Sequence, residues 1–138
     1  MSRQGNDYHA PAWFTAGLPW FPLDGEMWLE RGTDENDVHR AIAAGDWHRL
    51  RLMVFDCPGH VAEKAIAILA ALKPSPHMAV ANFWQVESTA SARETMHQIV
   101  ARGGEGVMLR KPGSVYRNTR TSDLLKLKPR HCLQGFAS

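Results

Sequence analysis

Apolar residues come in short runs along this chain, separated by glycine, proline and polar clusters. Leu50 to Phe55, LRLMVF, is closed by Asp56 and Pro58-Gly59 and predicts a central buried strand. Gly106-Val107-Met108-Leu109, bounded by Gly103-Gly104 and Pro112-Gly113, predicts a second buried strand. Leu23 to Leu29 predicts a strand on which Asp24, Glu26 and Trp28 share one face, and Met78 to Trp84 predicts another. Leu124-Leu125-Lys126-Leu127-Lys128 alternates, which puts Leu125 and Leu127 on one face and Lys126 and Lys128 on the other.

Between these runs the period changes to that of helices. Thr33 is placed to cap a helix with Asp34 and Glu35 in its first turn, Val38 and Ile42 on its apolar side and Gly45 at its end. Val61 to Leu72, VAEKAIAILAAL, is Ala-rich with Ala65, Ile68, Leu69 and Leu72 at helical spacing, and Lys73-Pro74 stops it. Ser91-Ala92-Arg93-Glu94 reads as a capping box for a helix with Met96, Ile99 and Val100 inward and Gly103-Gly104 at its end. Three prolines and four large aromatics between His9 and Pro22 predict an irregular packed segment. Strands mixed with helices make an α+β or α/β domain, without internal repeat or low-complexity run.

The 138 residues are 44% hydrophobic and 22% charged, which fits one soluble globular domain. The net charge of +2 hides an uneven distribution. From Arg102 to Arg130 eight basic residues face Glu105 and Asp123, so this segment carries +6 and the rest −4. A basic segment on a weakly acidic body suits a phosphate-bearing partner; a solvated surface cluster is the plain alternative. Cys57 and Cys132 match no zinc spacing and make no disulfide framework. No apolar run is long enough to span a membrane, and the first residues lack a secretory core, so a reduced, cytoplasmic setting is expected.

The candidate chemistry lies mainly between Glu105 and Pro129. Two ammonium groups on one strand face, near a carboxylate from a neighbouring strand, suit a polyphosphate and its divalent metal. Taken singly, such lysines usually mark a solvated face, and such a carboxylate is usually a surface residue.

In chain order the polar signals are Ser2-Arg3-x-Gly5, Asp24-Gly25-Glu26, Val54-Phe55-Asp56, Glu105-Gly106-Val107-Met108 and Lys126-Leu127-Lys128. Together they resemble the motifs of the adenylation domain of ATP-dependent DNA ligases, above all the small bacterial ones, from Ser2 to Pro129. The resemblance implies an α+β, ATP-grasp-like nucleotidyltransferase domain with antiparallel sheets flanked by helices. It implies ATP and Mg2+ as cofactors and nicked double-stranded DNA as partner. Arg3 would approach the phosphate or ribose of the adenylate, and Glu26 would accept a hydrogen bond from a ribose hydroxyl. Phe55 would stack on adenine, with Met108 on the opposite side, although Phe55 in an apolar strand also reads as core. Glu105 would bind or position the metal. Lys126 and Lys128 would contact the phosphates.

The chain departs from the family in two places. Complete members form a lysyl-adenylate on a Lys-x-Asp-Gly motif, pass AMP to the 5′-phosphate of a nick and seal it. None of the five lysines, Lys64, Lys73, Lys111, Lys126 and Lys128, lies in such a motif. Residues 130–138 do not resemble the family's continuation, and the oligonucleotide-binding-fold domain expected after Pro129 is missing. The expectation is a ligase adenylation domain over residues 1–129, truncated at both ends by a shortened or frameshifted gene or a misplaced start, with an aberrant tail. Two functions remain open: a ligase-family enzyme unable to adenylate itself alone, and a non-catalytic remnant that binds nucleotide or DNA weakly. RNA ligases and capping enzymes share the chemistry, but the local motifs favour DNA ligase.

Overall fold

A computed structural model describes residues 1–2 and 4–129. Arg3 and the tail 130–138 lie outside the described residues, so the expectations placed on them are not addressed by the fold. The larger sheet has three strands, β1 (Asp24–Trp28), β2 (Arg51–Asp56) and β3 (Met78–Val80), in the order β1-β2-β3. β2 is central, as its apolar run predicts. Its burial alternates, because only one face is covered: Val54 is fully buried while Arg51 is exposed.

A helix, α3 (Ala62–Ala70), covers that face and carries the chain from β2 to β3. Val54, Leu69 and Met78 form the core beneath it, with Leu52, Leu72 and Val80 packed around them. Each such side chain stabilises the fold by about 1.5–3 kcal/mol relative to exposure. The crossover returns the chain to the end where β2 began, so β2 and β3 run parallel. The expected α+β arrangement holds: the β1–β2 and β4–β5 pairs are antiparallel, and the parallel β2–β3 pair makes the larger sheet mixed. β3 ends at Val80, well short of Trp84.

A second core gathers Phe14, from the single-turn helix α1 (Ala12–Thr15), with Leu29, Trp47, Leu50 and Ala41 of α2 (Glu35–Ala43). The aromatic segment before β1 is less packed than predicted: Phe14 is buried, but Trp20 is 95% exposed. α2 is capped by Asp34, which exchanges side-chain and backbone hydrogen bonds with Asp37; Thr33 instead donates its hydroxyl to Glu30 O in the preceding turn.

The second sheet is a hairpin of β4 (Val107–Arg110) and β5 (Leu124–Leu127), packed on α4 (Thr89–Ala101). Ala92, Met96 and Leu127 are buried between them, with Val107 and Leu109 alongside. α4 starts earlier than predicted, because the capping box is Ser88 with Ser91 rather than Ser91 with Glu94. The sequence pointed to Ser91 because only it is followed by a glutamate three residues on, whereas at Ser88 the partner hydroxyl of Ser91 closes the box. Among the described residues no helix is long and apolar enough to cross a membrane.

Candidate nucleotide site

The register of β1 on β2 places Glu26 beside Met53 and Met27 beside Leu52. Leu52 faces the α3 core, so Glu26 and Met53 lie on the uncovered face. The pairing then slips by one: Gly25 meets Val54 and Asp24 meets Asp56, so Phe55 is passed over. A bulge of this kind re-aims a side chain. Phe55 alternates with the buried Val54, is half-buried and belongs to none of the three core clusters. That favours the stacking reading over the core reading. Gly25 permits the close pairing here, since a Cβ at this position would lie 2.5 Å from Met53 O.

On the hairpin, Met108 is directly opposite Lys126 and Val107 opposite Leu127. Val107 and Leu127 turn to α4, so Met108 and Lys126 share the outer face, with Cβ atoms roughly 4.5–5.5 Å apart by pairing geometry. Both are exposed. Lys128, just past β5, places Nζ 3.3 Å from Oε2 of Glu105, just before β4. Gly106 makes this possible: its φ is 155°, and a Cβ would sit 2.2 Å from Leu127 O.

Two residues that sequence reasoning left without a role join the two sheets. Arg110, on the same face as Met108, makes a 2.5 Å ion pair from Nη1 to Oδ2 of Asp56. Both side chains are largely buried, at 16% and 7% exposure. Asp56 Oδ1 also accepts the Cys57 N–H, and Arg110 donates weakly to Ser114. The signal was present in the sequence: counting by twos, Asp56 falls in phase with Leu52 and Val54, and an acid on a buried face requires a partner. A second tie runs from the Tyr116 hydroxyl to Asp24 Oδ2 at 2.9 Å. The β4–β5 loop is further held by Ala62 N–H to Ser114 O and by Gly113 N–H to Glu63.

The register thus puts Glu26 and Phe55 on one face of the larger sheet by phase and Met108 opposite Lys126 on the hairpin, sets Glu105 against Lys128, and ties the two sheets through Asp56–Arg110. It also thins the basic segment seen in sequence. Arg110 is neutralised by Asp56 and Lys128 faces Glu105, while Lys111, Arg117, Arg120 and Lys126 are exposed. Two surface cavities, of about 410 and 250 Å3, do not include Glu26, Phe55, Glu105, Met108 or Lys126. Glu26, Glu105, Met108 and Lys126 are exposed, so these candidate groups are open to solvent. Among the described residues no group of three His, Cys, Asp or Glu is placed to hold a metal. A single carboxylate such as Glu105 suits Mg2+, which commonly takes one or two protein carboxylates and completes its shell with water and substrate phosphate.

No protein-family model matches the chain. A DNA ligase of Haemophilus influenzae is 30% identical over 135 residues, covering 93% of this chain and 50% of that enzyme. A solved structure from a structure–function study of Lig E DNA ligases, concerned with DNA binding by a minimal scaffold, is 32% identical with a TM-score of 0.78. That match covers 92% of this chain and 54% of the other. The chain therefore spans about half the length of these relatives. In both sequence and fold, then, the chain is similar to about half of a bacterial DNA ligase.

Proposed function

We propose that residues 1–129 form the nucleotide-holding part of an ATP-dependent ligase adenylation domain. In this reading Phe55 and Met108 hold adenine between them, and Glu26 accepts a ribose hydroxyl. Lys126 and Lys128 offset the charge of the phosphates, with Arg3 as a further contact. Glu105 holds or positions Mg2+, which supplies charge neutralisation on the phosphates. Exposed Lys111, Arg117 and Arg120 suit the backbone of DNA, with nicked duplex as the substrate of the whole enzyme and the cytoplasm as its setting. The observation that carries the reading is the Asp56–Arg110 ion pair, which ties β4, two residues past Met108, to the residue that follows Phe55 in β2.

Adenylyl transfer in this family needs a lysine Nζ to attack the α-phosphate while the bond to pyrophosphate breaks. The 138 residues contain no Lys-x-Asp-Gly to supply it. A second reading is that these 138 residues by themselves bind nucleotide without chemistry. Titration calorimetry with ATP and Mg2+ tests the shared part of both. Weak binding that Phe55→Ala and Lys126→Ala each reduce supports the site. Binding that neither variant alters, or no binding at all, removes it.

A further inference from the structure

We propose that the Asp56–Arg110 ion pair is a positioning joint of the cleft: it fixes how far the Met108 face of the hairpin stands from Phe55. The inference rests on the nucleotide reading above. It begins with where the pair sits. Asp56 directly follows the bulged Phe55 at the end of β2. Arg110 lies two residues beyond Met108 on the same face of β4, about 7 Å along the strand. One ion pair therefore ties the two candidate stacking residues to a common point.

The joint is built to hold an angle. Its guanidinium contacts Asp56 on one side and the Ser114 hydroxyl and carbonyl on the other. The same Ser114 carbonyl accepts the N–H of Ala62 at the start of α3, and the Ser114 hydroxyl donates to Lys111 O at 2.6 Å. Arg110 thus meets strand β2 and the hairpin loop at one place, and through Ser114 is tied to the start of α3. Planar, forked donors hold such a geometry better than an ammonium does. Met108, nearer the open end of the same face, is 49% exposed. A buried pair of this kind contributes more to geometry than to net stability.

The distinction from a merely structural role lies in which part of the ligand feels the change. A wider angle separates Phe55 from Met108 but leaves Lys126 and Lys128 on β5 to meet phosphate. The full 138-residue chain is titrated with ATP and, separately, with inorganic tripolyphosphate. Arg110→Gln is expected to weaken ATP about tenfold, a share of one base-stacking contact, and tripolyphosphate less than about twofold. Arg110→Lys, which keeps the charge and is the safer variant to fold, should lose less ATP affinity than Arg110→Gln. A second readout is the 13C-labelled Met108 methyl: ATP should shift it in the native chain and shift it less in Arg110→Lys. Equal loss of both ligands, or no loss of ATP in either variant, overturns the joint. Phe55→Ala serves as the separate arm. If it leaves ATP binding unchanged, the nucleotide reading falls and the joint with it. If it weakens ATP while the Arg110 variants do not, the joint alone falls.

Discussion

Lys128 Nζ lies 3.3 Å from Glu105 Oε2, so the candidate phosphate ligand and the candidate metal ligand are each other's counterion. Neither group is deeply buried, at 33% and 80% side-chain exposure, so the pair contributes only about 0.2–1 kcal/mol. That range converts to an effect of about 1.4- to fivefold on any ligand that competes for Lys128. Glu105→Gln should therefore tighten ATP binding by up to about fivefold in EDTA, because Lys128 no longer has to leave a carboxylate. The same variant should lose the strengthening that Mg2+ gives the native chain. Calorimetry in the two buffers reads both effects. Weaker binding in EDTA would show that Glu105 supports phosphate binding in some other way.

Phe55 and Lys126 should fail differently. Phe55→Ala removes a stacking platform, at a cost of about 1–3 kcal/mol that added salt leaves nearly unchanged. Lys126 is exposed at the open end of the outer face, so its attraction for phosphate is screened. The gap between Lys126→Ala and the native chain should shrink as salt rises. Parallel salt series for the two variants would contradict the assigned roles.

Local signals made much of this fold legible. The strand at Leu50 to Phe55, the helix at Val61 to Leu72 and the alternation of Leu127 with Lys126 all follow from side-chain period, which sequence displays directly. The pairing of β2 with β3 does not, because direction is set by the crossover rather than by either strand. Caps were misplaced by one residue at Asp34 and by three at Ser88. In the site, Glu26, Phe55, Glu105, Met108, Lys126 and Lys128 came from motif order, whereas Asp56–Arg110 and Asp24–Tyr116 depend on how two sheets meet. Such contacts join residues far apart in the chain and leave only a faint trace, here an acid in phase with apolar neighbours.

That buried end of β2 also predicts a pH effect. Burial, and then the neighbouring Asp56 carboxylate, pushes the Cys57 thiol up from its ordinary value. The unfolded thiol loses its proton near pH 8.5, about the free-cysteine value, while the folded one keeps it to higher pH. Above the unfolded pKa the folded state binds more protons, so stability falls as pH rises. Below it the contribution is fully present. Urea unfolding at neutral and alkaline pH should show a decline that Cys57→Ala lessens. An identical alkaline decline in that variant would assign the loss to other groups.

The hairpin offers a test of packing independent of any ligand. Leu127 is fully buried against α4, while Leu125, two residues earlier on the same face, is 44% exposed. Leu127→Ala should cost about 2–5 kcal/mol of stability through lost burial and a cavity. Leu125→Ala should stay within about 0.5 kcal/mol. Denaturant midpoints at constant slope measure both. Equal losses would mean that Leu125 is covered by something beyond the described residues.

The last prediction concerns covalent chemistry. A nucleophile must be held in line with the α-phosphate, and effective catalysis depends on that placement. Lys64 is on α3, Lys73 follows it, and Lys111 opens the loop after β4. Lys126 and Lys128 have the charge-offsetting role proposed above. None occupies a Lys-x-Asp-Gly segment. Incubation of this 138-residue chain with α-phosphate-labelled ATP and Mg2+ should therefore leave no labelled protein band on a denaturing gel. A band mapping to any of the five lysines would refute this. Fusing an upstream ligase segment that carries a Lys-x-Asp-Gly motif should restore some lysyl-adenylate, because Glu26, Phe55, Glu105, Lys126 and Lys128 are the residues proposed to hold the nucleotide. The fusion with that lysine changed to alanine is the control. A fusion that is folded by circular dichroism yet takes no label would mean that the retained motifs no longer support transfer, and the non-catalytic reading would then stand.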